Sequence, residues 1–469
     1  MTKLHDLNAA ELAASYASAE FSPSDVCAAV LARIEECEPT LNAFYQQDAE
    51  GAIFAAAQST QRWLSGAARG PLDGVPVTIK ENIARKGVPM PAGTALPNPP
   101  IAVANAPIVD RLVESGAVIL GSTTMPDWGM LSSSVSSLHG ISRSPWNPDW
   151  TTGGSSAGAR AAAAAAAGYG PLHLGTDIGG SIRLPGTWLG LATLKPSAGL
   201  VPLDAPYLGR AAGPIARNVS DAALLLSVVA QFDARDFTAR PYPEMELQNL
   251  AFQPIDSRVG IHLDAGAGAE VDDEIAAAVL AVAEVFAKAG AKVASLPPFI
   301  NQQLMDSLDN FWRTRSYRDF AALTVEDQGR VLPYIARWCA RGSEFDGATT
   351  ISHYEAIAAI QQATVAATWP YDLVISPVAP MAAFGAEQPM PNDDPEQTMG
   401  HIAFTAPYNM SDQPAATVNC GFTADGRPIG VQIAGRVGAD QRVLSAAAWY
   451  EANRPESAIP DWAELLVSY

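Results

Sequence analysis

An alternation of apolar and polar residues predicts a short β-strand that ends near Lys80. Val75, Val77 and Ile79 fall on one side of an extended chain, whereas Thr78 and Lys80 fall on the other. The pattern therefore predicts a strand with a lysine near its carboxyl end.

A spacing of three to four residues between apolar positions predicts helices on both sides of this strand. The first helix begins after Ser22, which forms a capping-box pattern with Asp25 and is followed by Pro23 at the first helical position. A second helix ends at Gly116 and precedes a β-branched strand, and the same order of helix and strand recurs over residues 272–296. Alternating helices and strands are typical of an α/β domain.

The rest of the chain favours one such domain rather than two. Further strands are predicted in DLVISPV and IGVQIAG, and the chain has no repeat, charged tail or long low-complexity linker. We expect residues 1–65 to form a helical segment packed on the core, and residues 66–469 to form the α/β domain itself.

Charge and composition limit the kinds of molecule that the protein is expected to bind. The 469 residues include 29 Lys and Arg against 49 Asp and Glu, a formal net charge of −20, which repels nucleic-acid phosphates and anionic membranes. The four cysteines lack paired spacing, so neither a disulfide framework nor a zinc site is expected, and the sequence predicts no metal and no cofactor. With no signal peptide and no apolar run of bilayer length, we expect a cytoplasmic protein.

A segment rich in Ser, Gly and Thr carries the candidate chemistry. Glycine-rich loops bring main-chain N–H groups close to a ligand, and in LGTDIGGSIRLPG two glycines precede Ser181. No phosphate-binding or dinucleotide-binding motif is present, so the anion that this loop suits is a transient oxyanion.

Two routes to an activated serine compete in the sequence. Gly154 to Gly158 match the GxSxG nucleophile elbow, but a polar, proline-broken loop precedes them where the elbow needs a strand. None of the six histidines lies in a motif typical of a catalytic base. A desolvated lysine can act instead, and Lys80 is the best placed, although a lysine at a strand end is more often a solvated charge.

The chain resembles the amidase signature family. Lys80 in PLDGVPVTIKENI, the TTGGSSAG loop and LGTDIGGSIRLPG occur in the family's order, and the likeness extends from about residue 20 onward. The resemblance implies a single large α/β domain in which helices cover both sides of a mixed β-sheet.

The resemblance also implies a catalytic site. Ser181 would be the nucleophile, Ser155 the bridging serine held by a cis peptide bond, and Lys80 the terminal base. Main-chain amides would form an oxyanion hole, namely those of Ile178, Gly179, Gly180 and Ser181. Other side chains are expected to support these loops, namely Thr176, Asp177 and Arg183. Because Ser155 and Ser181 lie 26 positions apart, slightly more than is usual for the family, Ser156 is a rival for the bridging role.

The expected reaction is hydrolysis of a C–N bond through an acyl-enzyme. The segment MPDWGM and its neighbours are expected to line the substrate pocket with Met125, Trp128, Met130 and Leu131, which suits small uncharged substrates with an aryl group, including carbamates (urethanes). The expected partner is thus a small amide or carbamate, and the chain is expected to be a monomer or homodimer. The alternatives are the glutaminase subunit of a tRNA-dependent amidotransferase and a non-catalytic binding protein on the same fold.

Overall fold

The structure, a computed structural model, describes residues 3–154, 165–204, 206–397, 399–462 and 465. Its strands β1 to β11 are, in chain order, Phe44–Gln47, Pro76–Lys80, Val118–Thr123, Leu172–Asp177, Ala192–Lys195, Ala211–Ala216, Arg258–Ile261, Lys292–Ser295, Leu373–Pro377, Ala415–Phe422 and Pro428–Ala434. Its described α-helices, numbered α1 to α13, are Ala9–Ser18, Pro23–Leu41, Ala49–Leu64, Pro107–Ser115, Arg183–Trp188, Val219–Val229, Asp273–Lys288, Gln302–Ala321, Val325–Gln328, Pro333–Ala340, Gly347–Thr368, Ala406–Met410 and Asp440–Asn453.

The strands form one mixed sheet in the order β1-β3-β2-β4-β6-β5-β10-β11-β9-β7-β8. Strand β2 runs parallel to β3 and β4, and β7 runs parallel to β8 and β9, whereas the other pairs are antiparallel. The six N-terminal strands therefore occupy one half of the sheet and the five C-terminal strands the other. The two halves meet where β5 pairs with β10.

The middle of the sheet is buried on both faces. Every residue of β2, β4, β6 and β11 is buried, although alternate side chains of a strand point to opposite faces. Layers therefore cover both sides, and the predicted single α/β domain with a mixed sheet is confirmed. A second apolar cluster lies beside the sheet and joins α8, α10 and the segment 399–410.

Several local predictions are confirmed. Helix α2 begins at Pro23 behind a complete Ser22–Asp25 capping box. Helix α4 ends at Gly116, whose φ of 80° is the left-handed conformation that glycine adopts most readily. Strand β2 ends at Lys80.

Two elements differ from the expectations. The segment 1–65 is not purely helical, because it also supplies β1, which pairs with β3 at the edge of the sheet. The prolines of PPFINQQL predict a surface loop, but α8 begins inside this stretch at Gln302, where the Asn301 side chain accepts a hydrogen bond from the Leu304 amide. Of the helices in the described ranges, none is long and apolar enough to cross a membrane.

Candidate active site

Parallel pairing brings the predicted site residues to one edge of the sheet. Strands β2 and β4 are in register from Val77 opposite Leu172 to Ile79 opposite Leu174. The carboxyl ends of both strands therefore lie side by side, with Lys80 at one and Asp177 at the other. This edge of parallel strands is where α/β proteins commonly bind ligands.

Lys80 is a buried amine with a polar partner. The residue is only 1% exposed, and its Nζ donates a hydrogen bond of 2.7 Å to Thr176 Oγ1. Asn82 Nδ2 donates to the same oxygen at 3.3 Å. Burial, with a smaller contribution from the positive charge of Arg210, lowers the pKa of Lys80 well below its usual value. An amine with a lowered pKa can accept a proton near neutral pH.

Asp177 and Arg183 hold the loop that carries Ser181. Asp177 Oδ1 accepts the Gly180 amide at 2.8 Å, and Oδ2 accepts the Ile182 amide at 3.0 Å. Arg183 Nη2 lies 2.9 Å from Asp177 Oδ1, and both side chains are fully buried. Burial alone would raise the pKa of Asp177, but the charge of Arg183 and these hydrogen bonds hold it well below its ordinary value.

Three residues that the sequence analysis did not single out complete this network. Arg183 Nη1 donates to Thr405 O at 3.0 Å and to Gln432 Oε1 at 2.7 Å, and Nη2 donates to Asn409 Oδ1 at 2.6 Å. Thr405 Oγ1 in turn donates to Gly179 O at 2.6 Å. The loop around Ser181 is thus fixed by hydrogen bonds to its main chain and by the contacts of the Arg183 side chain.

The amides proposed for an oxyanion hole are not equivalent. Among the described residues, none accepts a hydrogen bond from the amides of Ile178 and Gly179, whereas the Gly180 amide is engaged by Asp177. Gly180 has a φ of 128°, and a Cβ there would lie 2.7 Å from Thr405 Oγ1, so only glycine suits the turn. Within the described residues, the amides of Ile178 and Gly179 therefore differ from that of Gly180 in having no acceptor.

Ser181 borders a narrow cavity of about 30 Å³. Apart from the loop itself, Ser132 and Arg315, the lining is apolar; it consists of Gly129, Met130, Ser132, Ile178, Gly179, Ser181, Leu184, Trp312, Arg315, Met399 and Ile402. Of the four predicted pocket residues, Met130 lines this cavity. Leu131 is fully buried in the second apolar cluster and lines neither this cavity nor the next.

Met125 and Trp128 line a larger neighbouring cavity of about 550 Å³. Asn82, two residues beyond Lys80, lines it as well. Trp128 has a left-handed backbone conformation with a φ of 48°. Its ring forms a T-shaped contact with the Phe320 ring, with 6.4 Å between the ring centroids. The larger cavity therefore approaches the site from the side of Lys80.

The two candidates for the bridging role, Ser155 and Ser156, lie outside the described residues. The chain leading to them is described: a Cβ at Gly153 would lie 3.0 Å from Pro185 Cα, so this stretch runs against α5, directly after Ser181. His173 is a core residue, with Nδ1 2.7 Å from Thr78 Oγ1. Within the described ranges, no cluster of three or more His, Cys, Asp or Glu side chains is arranged to hold a metal ion.

The chain is similar to known proteins over almost its whole length. The Amidase family model matches residues 25–444. The acylamidase of Rhodococcus erythropolis is 34% identical over 96% of each chain, and a glutamyl-tRNA(Gln) amidotransferase subunit from Agathobacter rectalis is 28% identical over 96% of this chain and 94% of its own. The crystal structure of a bacterial aryl acylamidase superposes with a TM-score of 0.89 at 26% identity, covering 97% of this chain and 98% of the other. The chain therefore belongs to the amidase signature family, and it is an amidohydrolase that acts on amides.

Proposed function

We propose that the enzyme hydrolyses small, uncharged amides that carry an aryl group, with aryl carbamates as further substrates. One observation carries the proposal: a buried lysine of lowered pKa lies at the same sheet edge as a glycine-rich loop that presents a serine. The names of the acylamidase and aryl acylamidase relatives support the aryl preference, as do the side chains of Met130 and Trp128.

The proposed mechanism is a proton relay through Ser155. Ser181 Oγ attacks the carbonyl carbon while its proton passes through Ser155 to the neutral amine of Lys80. The amides of Ile178 and Gly179 stabilise the oxyanion of the tetrahedral intermediate. When the C–N bond breaks, the proton returns through Ser155 to the leaving nitrogen, which departs as an amine. Water then cleaves the acyl-enzyme by the same relay.

Mutation of Ser181 tests the nucleophile. A serine-directed phosphonate is expected to label the wild type once, and Ser181→Ala is expected to abolish both labelling and turnover while the melting temperature is preserved. Ser352→Ala, an exposed serine on α11, is the matched control and is expected to behave as the wild type. Labelling of Ser181→Ala at the wild-type rate would assign the nucleophile elsewhere.

The second candidate function is that of a glutaminase subunit in an amidotransferase. It is supported by relatives named as glutamyl-tRNA(Gln) amidotransferase subunits, two of which are 28% and 30% identical to this chain. The proposed partners otherwise follow the sequence analysis: a small amide or carbamate, no nucleic acid, no membrane, and a monomer or homodimer in the cytoplasm. A higher kcat/KM of the isolated chain for acetanilide than for glutamine supports the first function, and the reverse order supports the second.

A further inference from the structure

Of the two cavities described above, the narrow one is lined by Ser181 and the larger one by Asn82, two residues beyond Lys80. Of the described residues that line them, Arg315 is the only one common to both. Trp312, one turn earlier on α8, lines only the narrow cavity, and Asp319, one turn later, lines only the larger one. Helix α8 thus runs along both cavities, and Arg315 stands at their boundary.

The side chain of Arg315 is held at this boundary by weak contacts. Its half-buried guanidinium donates from Nη2 to Met130 Sδ at 3.4 Å, and its Cζ lies 4.8 Å from the centroid of the Tyr207 ring. A thioether is a weak acceptor, and a cation–π contact at a partly exposed site is modest. The side chain therefore closes the boundary with contacts that another group can replace.

The inference rests on the proposed function, in which the two cavities hold different parts of the substrate. The narrow one adjoins Ser181, Ile178 and Gly179, where the carbonyl and its acyl group must sit. The larger one adjoins Asn82, whose Nδ2 shares Thr176 Oγ1 with Lys80, on the side from which the leaving nitrogen receives its proton. About 30 Å³ is the space of roughly one or two water molecules, so the narrow cavity has room beside Ser181 for a small group and not for a long acyl chain.

We propose that Arg315 is a specificity-determining partition that restricts the enzyme to substrates with a short acyl group. With Arg315 in place, the leaving amine occupies the larger cavity and the acyl group is confined beside Ser181. A longer acyl chain reaches the reactive position only when the guanidinium leaves Met130 and Tyr207. The substrate class is therefore the short-chain acyl anilides, with the bulk of the molecule on the amine side.

The test is a chain-length series with acetanilide, butyranilide and hexananilide. The wild type is expected to lose kcat/KM steeply along the series. In Arg315→Ala the two cavities join, so the ratio of kcat/KM for hexananilide to that for acetanilide is expected to rise at least about tenfold, the lower end of the discrimination that a hydrophobic pocket gives per methylene. Arg315→Met restores bulk without charge, and we expect it to return the ratio toward the wild-type value.

Two further variants separate this role from a general effect on the helix. Gln303→Ala, at an exposed position on the same helix that lines neither cavity, is expected to keep the wild-type activity and ratio. Tyr207→Leu removes the ring against which the guanidinium packs, at a residue that lines neither cavity, and is expected to shift the ratio in the direction of Arg315→Ala, which keeps the test valid even when Arg315→Ala does not fold.

Three outcomes would overturn the partition. The first is an unchanged ratio in folded Arg315→Ala and Tyr207→Leu, and the second is an equal change in Gln303→Ala. The third is a loss confined to 4-carboxyacetanilide in both Arg315→Ala and Arg315→Met, which would make Arg315 a receptor for a carboxylate. If the wild type hydrolyses none of the anilides, the proposed function fails and the partition with it, whereas hydrolysis without a change in ratio removes the partition alone.

Discussion

Lys80 lies where a lysine cation is poorly stabilised. Its amine has exchanged bulk water for the Thr176 hydroxyl, and burial penalises the charged form of the side chain. The same penalty that weakens the folded state gives the amine its lowered pKa. Stability and basicity therefore oppose each other at this one residue.

Replacing Lys80 by methionine is expected to abolish turnover and stabilise the fold. Turnover should fall by at least about 10³-fold, as it does when one member of a catalytic relay is removed. Burial lowers the folded-state pKa of Lys80 below 10.5, so between the two values the unfolded chain binds more protons and the wild type gains stability as pH rises. The stability of Lys80→Met should lack this rise with pH, and the variant should melt at a higher temperature than the wild type at pH 7.

An activity assay measures the loss of turnover, and thermal unfolding at several pH values measures the change in stability. Lys288→Met, an exposed lysine on α7 that pairs with Glu284, is the control and is expected to change neither activity nor the pH slope. A lower melting temperature for Lys80→Met at pH 7, with the wild-type slope retained, would contradict a buried neutral amine.

At the scale of elements, the loop between β4 and α5 depends on one buried ion pair. Asp177→Asn removes the negative charge that faces Arg183 and leaves a buried cation, which costs about 3–5 kcal/mol of the free energy of unfolding. Because Asp177 also fixes the Gly180 and Ile182 amides, kcat is expected to fall with stability. Measurement is by chemical denaturation and by turnover of acetanilide at a temperature where the variant remains folded.

The exposed pair of Glu284 and Lys288 provides the comparison for this prediction. Glu284→Gln should change the free energy of unfolding by less than about 0.5 kcal/mol, because solvent screens a pair at the surface. Equal effects of Asp177→Asn and Glu284→Gln would mean that the buried pair does not organise the loop.

The elements of the site were predictable to the extent that their signals are local. The alternation before Lys80 and the glycines before Ser181 are contained in a few consecutive residues, and both features are present where predicted. The acceptors of Arg183 are not local: Asn409 and Gln432 lie more than 200 positions away, and no pattern around them marks such a contact. No local pattern marks Arg315 either, since the boundary between the cavities exists only after packing.

At the scale of the whole molecule, the N-terminal segment is attached to the sheet domain through a buried carboxyl group. Asp221 Oδ1 on α6 accepts the Ala9 amide of α1 at 3.0 Å, and Asn218 Nδ2 donates to Oδ2 at 3.0 Å. Burial raises the pKa of Asp221 from 3.8 to about 7, and the nearby carboxylates of Glu11 and Glu451 act in the same direction. The attachment is therefore sensitive to pH.

The sign of this dependence follows from the raised pKa. The protonated folded form contributes stability that is fully present below about pH 4 and is lost as pH rises through about 7. Asp221→Asn keeps an oxygen acceptor for the Ala9 amide and carries no charge, but it loses the acceptor of Asn218 Nδ2. Its free energy of unfolding relative to that of the wild type is therefore expected to be higher at pH 8 than at pH 4, by at most about 4 kcal/mol. Calorimetry at both pH values checks this, and equal melting differences at pH 4 and pH 8 would exclude titration of Asp221 as the cause.

The order of strands in the sheet makes the enzyme divisible. The first six strands and the last five occupy separate halves of the sheet, which pair with each other where β5 meets β10, and an exposed stretch connects α6 to β7. A cut in that stretch would give one fragment with Lys80 and Ser181 and another with Asn409 and Gln432. Each fragment alone would lack half of the Arg183 network, so amide cleavage would report the meeting of two polypeptides, as in a split-reporter assay.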